Sequence, residues 1–267
     1  MSGSRAFRAG LVLALACALA FLLLPIVAIF AHTSPGRLVR SLGDGASRDA
    51  LWLSLKTTAL ALALIVAVGT PAAYLMATRA FRGRAVVQTL IELPLVLPPA
   101  AAGIGLLAAL GPHGLLGGVL HDAHVELVLQ TAGVVVALVF VASPFYLRAA
   151  EAAFAAVPRN VLGAARTLGS GEAGAFARVA IPSARAGLLA GAALAWARAL
   201  GEFGATLMFA GSLRGVTQTV PLAIYERFAI DLPGALALSA VLVIASFSLL
   251  LAVKLTTGLG ALGVAAR

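Results

Sequence analysis

Residues 52–78 read WLSLKTTALALALIVAVGTPAAYLMAT, a stretch in which Lys56 is the only charge. An α-helix rises about 1.5 Å per residue, so about 20 apolar residues cross the roughly 30 Å hydrocarbon core of a bilayer. A helix satisfies its own backbone N–H and C=O groups, as lipid requires. Working outward, five further segments meet the same criterion: 10–31, 88–110, 127–147, 184–210 and 234–257. The sequence therefore predicts an all-α integral membrane protein with about six transmembrane helices. Pro94, Pro98 and Pro99 interrupt the third span, and Arg198 and Glu202 lie near the middle of the fifth.

Composition agrees. Of 267 residues, 61% are hydrophobic and 11% charged, against about 25% charged in a soluble domain. A soluble enzyme and a disordered chain are both excluded. The net charge of +9 could suggest nucleic acid, but the 19 Lys and Arg are scattered between apolar runs. No nucleic-acid partner is expected, and the excess reads as topology. The single cysteine, Cys17, excludes a disulfide or a cysteine-based metal site within one chain and reads as a small apolar residue.

Six spans place both termini on one side. With the N-terminus inside, 12 of the Lys and Arg fall in cytoplasmic segments, 6 in external ones, and Arg198 within a span. That asymmetry favours cytoplasmic termini. The first apolar run, about 22 residues, exceeds a signal-peptide core, and Ile29 is wrong for cleavage after Ala31. It is read as an uncleaved anchor. The organisation expected is a first helix with an outside loop (1–49), a transmembrane domain (50–257) and a cytoplasmic tail (258–267). In the outside loop, Ser34-Pro35 can start a short surface helix.

The longest inside loop, VPRNVLGAARTLGSGEAGAFARVAIPSAR (157–185), reads as two short helices. Pro158 suits a first helical position and Gly169 a helix end. Val161, Leu162, Ala165 and Leu168 share one face, and Arg159 and Arg166 another. Ser170-Gly171 make a turn, a second helix starts near Glu172, and Pro182 limits it. Such a helix either lies on lipid headgroups or docks a soluble subunit. The small residues Gly163, Ala164 and Ala165 tilt toward docking, because they permit close backbone approach.

Spacing carries a resemblance. The loop pattern of binding-protein-dependent ABC transporter permeases is E-A-A, three residues, G, nine residues, I-x-L-P. Here Gly163-Ala164-Ala165 is followed by Gly169 and then by Val179-Ala180-Ile181-Pro182 at the same intervals. Gly163 replaces the pattern's Glu, and the literal EAA at 151–153 has the wrong spacing. ARALGEFGATLMFAG (197–211), TQTVPLAIY (217–225), AARTLG (164–169) and LPLVLPP (93–99) resemble the molybdate branch of these permeases. Sulfate and thiosulfate permeases share the ARALGE core.

The resemblance implies a transport subunit of the bacterial inner membrane that works as a homodimer and imports molybdate or tungstate. Sulfate or thiosulfate is the alternative cargo. It implies two cytoplasmic ATP-binding subunits docking on 158–169, with Gly163, Ala164, Ala165, Arg166, Leu168, Gly169, Val179, Ile181 and Pro182 as the coupling residues, and an extracytoplasmic oxyanion-binding protein. The chain has no G-x-x-x-x-G-K-[ST] loop, since Leu55 and Val253 precede its two lysines. ATP and Mg would sit on the partner, and no cofactor is expected here. An ion-coupled secondary transporter would want an inverted repeat and intramembrane carboxylates, and neither is evident. A membrane-embedded enzyme would want a nucleophile–base pair or metal ligands, and none is offered.

Polar residues at membrane depth are the path candidates. Arg198 and Glu202, four apart, share a helix face. They read either as a self-neutralising structural pair or as a pathway element that meets a passing oxyanion. Thr206 lies one further turn on. Pro94, Pro98 and Pro99 predict a kink that could form a gate. Gly187-xxx-Gly191, with Gly201, Gly204 and Ala205, predicts close helix packing. His121, Asp122 and His124 invite a metal reading, but a solvated loop is preferred and no metal is expected. Glu92 is expected to cap or to pair with a cytoplasmic arginine.

Overall fold

The computed structural model describes residues 2–264. Helix α1 spans Ser2–Ala31 and α2 spans Pro35–Gly43. Then come α3 (Gly45–Thr78), α4 (Arg84–Val96), α5 (Pro99–Leu110), the short α6 (Gly117–Asp122) and α7 (Thr131–Ala155). They are followed by α8 (Arg159–Thr167), α9 (Glu172–Ala175), a π-helical turn (Phe176–Ala180) and α10 (Ile181–Leu200). Finally α11 covers Gly204–Ala210, α12 Val220–Phe228 and α13 Leu232–Val264. Among the described residues, five helical runs are long and apolar enough to cross a bilayer, and α4 with α5 forms a sixth only as a pair bent by 115°.

Two expected spans differ from the sequence reading. The third is not one kinked helix but two half-helices. Leu97 precedes Pro98 and Pro98 precedes Pro99, and a residue before proline is pushed into extended backbone. Leu97 (ψ 131°) and Pro98 (ψ 134°) adopt it, whereas Pro94 is carried inside α4. The fifth span ends at Leu200, and Gly201–Phe203 separate it from α11. Arg198 and Glu202 therefore sit at a helix break, not in mid-helix.

Pro182 also acts differently from expectation. The helix does not stop before it but runs from Glu172 to Leu200. Proline lacks a donor and its ring crowds the preceding turn. The widened π turn lies directly before it, with the Ile181 N–H donating to Phe176 O, and absorbs the proline without a break.

The core is the packing of α7 against α3 and α10, made close by small residues. A Cβ on Gly69 would stand 2.8 Å from Tyr146 Cδ1, one on Gly191 2.8 Å from Ala149 Cβ, and one on Gly187 2.5 Å from Ala153 Cβ. Ala61, Ala150 and Ala195 have no exposed surface. Where side chains are apolar on both sides, lipid supplies no net hydrophobic drive, so contact and hydrogen bonding hold the helices. Thr70 and Tyr146 share a 2.6 Å hydroxyl contact, and Trp196 Nε1 donates to Thr58 Oγ1 at 2.9 Å. Helix α1 stands at the edge, packed along α13, its apolar surface exposed. Helix α13 continues beyond the expected 257 boundary to Val264, and residues 265–267 of the expected tail lie outside the described residues.

Candidate functional site: a polar helix break and an exposed loop helix

The break between α10 and α11 gathers the path candidates. Glu202 is 2% exposed, and its Oε2 lies 2.6 Å from Arg198 Nη2. Its Oε1 accepts the Ala205 N–H at 2.8 Å. One carboxylate thus neutralises a guanidinium and caps the first turn of α11, where backbone donors are otherwise unpaired. The Arg198 side chain is 27% exposed, so the pair is open on its guanidinium side only. Thr206 is fully buried, with no hydrogen-bond partner for Oγ1 among the described residues.

The two breaks meet. A Cβ on Gly204 would lie 2.9 Å from Pro99 Cβ, and one on Gly103 2.6 Å from Ala205 O and 2.7 Å from Met208 Cβ. Helix α5 is therefore seated on α11 backbone to backbone. Pro99 joins the Arg198–Glu202 neighbourhood, while Pro94 is half-buried within α4 and Pro98 is exposed at the bend. Phe203, in the break, stacks on Tyr225 of α12 with centroids 5.1 Å apart. Residues 217–219 after α11 are also buried: Thr217 Oγ1 accepts the Leu213 N–H at 2.8 Å, and Thr219 Oγ1 has no partner among the described residues. Sequence reasoning missed Phe203 and Thr217–Thr219. Their only signal was the polar run Thr217-Gln218-Thr219 amid apolar surroundings.

At one end of the bundle, α8 closes on a Schellman motif. Gly169 has φ +85°, its N–H donates to Arg166 O, and the Ser170 N–H donates to Ala165 O, both at 3.0 Å. Left-handed backbone here favours glycine. The expected apolar face is divided. Leu162 is buried and Ala165 half-buried, whereas Leu168 is 87% exposed. Gly163 is half-buried, Ala164 and Arg166 are exposed, and Arg166 Nη2 donates to Glu172 Oε2 at 3.1 Å. Val179 and Ile181 do not share this surface. They are half-buried against the core, and Pro182 is exposed farther along.

Beneath α8 lies an aromatic cluster that sequence reasoning also missed. Tyr74 of α3 meets Phe154 of α7 edge-on at 5.3 Å and Phe176 of the π turn at 4.7 Å. Val157 and Leu162 pack in the same core. Glu92 pairs with Arg148, as expected of it. Glu151 accepts from Arg84 Nη2 at 3.0 Å and from Gln88 Nε2 at 2.9 Å, so the off-register EAA serves to tie α4 to α7. At the opposite end, His121, Asp122, His124 and Glu126 line an open cavity of about 720 Å³. Among the described residues, no three His, Cys, Asp or Glu are grouped to hold a metal ion.

Residues 69–257 match the family described as the binding-protein-dependent transport system inner membrane component. The chain belongs to that family. This permease is 40% identical over 242 residues to the molybdenum transport system permease protein ModB of Mycobacterium bovis, covering 90% of this chain and 91% of that one. It is 35% identical over 238 residues to a probable transport system permease protein, NifC, of Clostridium pasteurianum, covering 88% and 82%. To the sulfate transport system permease CysW of Synechococcus elongatus it is 32% identical over 190 residues, covering 71% and 66%. Its fold is that of a chain in a bacterial alginate ABC transporter complexed with an alginate pentasaccharide-bound periplasmic protein. The TM-score is 0.73 at 15% identity, covering 95% and 94%. The permease is a multi-pass inner membrane protein and the transmembrane part of an ABC importer.

Proposed function

We propose that this permease carries molybdate or tungstate inward as a homodimer, driven by two cytoplasmic ATP-binding subunits and fed by an extracytoplasmic oxyanion-binding protein. The observation that carries the cargo is the 40% identity to a molybdenum permease over nine-tenths of the chain. The sulfate permease stands further off at 32%, and sulfate remains the second reading because both are tetrahedral oxyanions. Both termini lie in the cytoplasm in this reading.

Helix α8 is the docking element. Leu168 supplies an apolar knob left uncovered by the described residues, Arg166 the flanking charge, and Gly163, Ala164 and Ala165 the close approach. Gly169 fixes the geometry at its end. Val179 and Ile181 back α8 from the core, and Pro182 stands exposed farther along. Motion of α8 passes through Tyr74, Phe154 and Phe176 to α3, α7 and α10, packed elements that move as rigid bodies. The α5–α11 contact at Pro99, Gly103 and Gly204 is the constriction. Arg198 faces the path, and Glu202 tempers its charge so that an anion is not held too tightly to leave.

The test is reconstitution of the permease with its ATPase subunits and binding protein in proteoliposomes. Molybdate uptake should require ATP, and uptake that persists without ATP overturns the reading. Calorimetry of the binding protein with molybdate, tungstate and sulfate then ranks the cargo.

A further inference from the structure

A second charged site lies at the end of the bundle opposite α8. Arg37, Arg40, Ser41, Arg227, Asp44 and Asp231 line a cavity of about 340 Å³ between α2 and the start of α13. One of its carboxylates is already engaged. Asp44 holds Arg227 and caps α3 at Ser47, while Asp231 stands among the lining residues at the start of α13. Arg37 and Arg40 have no acidic partner within 4 Å among the described residues, and Arg40 Nε donates only to Gly36 O. Ser41 is 7% exposed, yet its Oγ has no hydrogen-bond partner among the described residues and it lines this cavity. A buried hydroxyl without a partner costs free energy unless a ligand supplies one. Two free guanidinium groups and one free hydroxyl suit a phosphate.

Below this cavity runs an apolar groove of about 610 Å³ between α1 and α13, lined by Leu23, Ile26, Phe30, Leu242, Phe247 and Leu250. The two are in register along α13. Ala237 lines the cavity and Ile244 the groove, two helical turns apart on one face of α13, about 10.5 Å along the axis. Val39 and Leu42 of α2 are exposed beside the arginines, as in a helix lying at the water–lipid boundary. A phosphate above a chain-shaped groove is the outline of a lipid.

We propose that the Arg37–Arg40–Ser41 cavity and the α1–α13 groove together hold one anionic membrane phospholipid, its phosphate on the arginines and an acyl chain between the helices. The lipid ties the peripheral α1 to the bundle. The site is independent of the cargo and does not rest on the docking role of α8.

The permease, purified with its ATPase subunits, is titrated with dioleoyl phosphatidylglycerol or dioleoyl phosphatidylcholine and read by native mass spectrometry. One phosphatidylglycerol per copy should bind at least about tenfold tighter than phosphatidylcholine. Arg37→Gln and Arg40→Gln should each weaken that preference about fivefold and leave melting of the delipidated protein unchanged. Leu242→Trp should weaken binding of the dioleoyl lipid but not of a dihexanoyl one. Equal binding of the two headgroups, or indifference to both arginine variants, overturns the proposal. Competition by inorganic phosphate with no dependence on chain length shows a free-anion site instead. A disulfide between Leu23→Cys of one copy and Leu250→Cys of another shows that a second copy fills the groove. Either result also overturns it.

Discussion

Glu202 holds Arg198 with one carboxylate oxygen, at 2.6 Å, and the α11 amide of Ala205 with the other, at 2.8 Å. The charge pair and the helix break are therefore one device. Removing one partner of a buried pair leaves an uncompensated charge, at a cost of about 3–5 kcal/mol. Glu202→Ala loses both contacts and should lower the melting temperature in detergent by several degrees. Glu202→Gln keeps an acceptor for Ala205 and should fall between that variant and the wild type. If Arg198 faces the path, Arg198→Met lowers oxyanion uptake more than it lowers the melting temperature.

Gly169 lies at φ +85° with open space around it. A side chain there costs about 1–2 kcal/mol of backbone strain without a steric clash. Gly169→Arg should insert into the membrane at normal levels, yet uncouple ATP hydrolysis from uptake. Immunoblots of membranes and ATPase assays in proteoliposomes separate the two effects.

Leu168 is almost wholly exposed, so Leu168→Asp should leave the fold intact and weaken ATPase-subunit binding at least about tenfold, read by co-purification. Gly163 lies inside α8 with nothing within 4 Å of an added Cβ. Gly163→Ala should therefore stabilise this helix by about 0.5–1 kcal/mol, read as a higher melting temperature of the permease without its ATPase subunits.

The α5–α11 contact predicts a contrast between two glycines of one helix. A Cβ on Gly103 meets backbone at 2.6 Å, whereas one on Gly105 meets nothing within 4 Å. Gly103→Ala should destabilise by about 1–3 kcal/mol through overpacking, and Gly105→Ala should stabilise by about 0.5–1 kcal/mol in the same thermal assay.

Asp44 gives a pH signature outside the membrane. Burial raises the pKa of its carboxyl, but the hydrogen bonds from Arg227 and Ser47 outweigh this and hold it below the ordinary 3.8. A depressed carboxylate contributes stability above its unfolded pKa and loses it as pH falls through the folded one. Stability should therefore drop below about pH 4, and Asp44→Asn should flatten that limb. The effect is small, because the pair is partly exposed and screened.

Much of the permease was legible without coordinates, because burial in lipid leaves an apolar signature in every span and a glycine-ended helix leaves its own spacing. Hence most of the spans, the α8 terminus at Gly169 and the pairing of Glu92 with some arginine follow from residue order, whereas the choice of Arg148 does not. The bend at Leu97–Pro98 was only partly readable: three prolines announce a fault, but which one ends the helix depends on where the bend finds a partner, here Gly204.

What tertiary structure alone decided is which distant residues meet. Nothing in a helical period says that Tyr74, Phe154 and Phe176 converge, that Glu151 reaches Arg84, or that Pro182 is absorbed by a π turn. Nor does it say that Glu202 lies at a break, since glycine and glutamate are both tolerated inside a helix. Periodicity reports the environment of a face, apolar or polar. It carries no information about which partner occupies that environment, and contact between α5 and α11 depends on the absence of two Cβ atoms that no local rule requires.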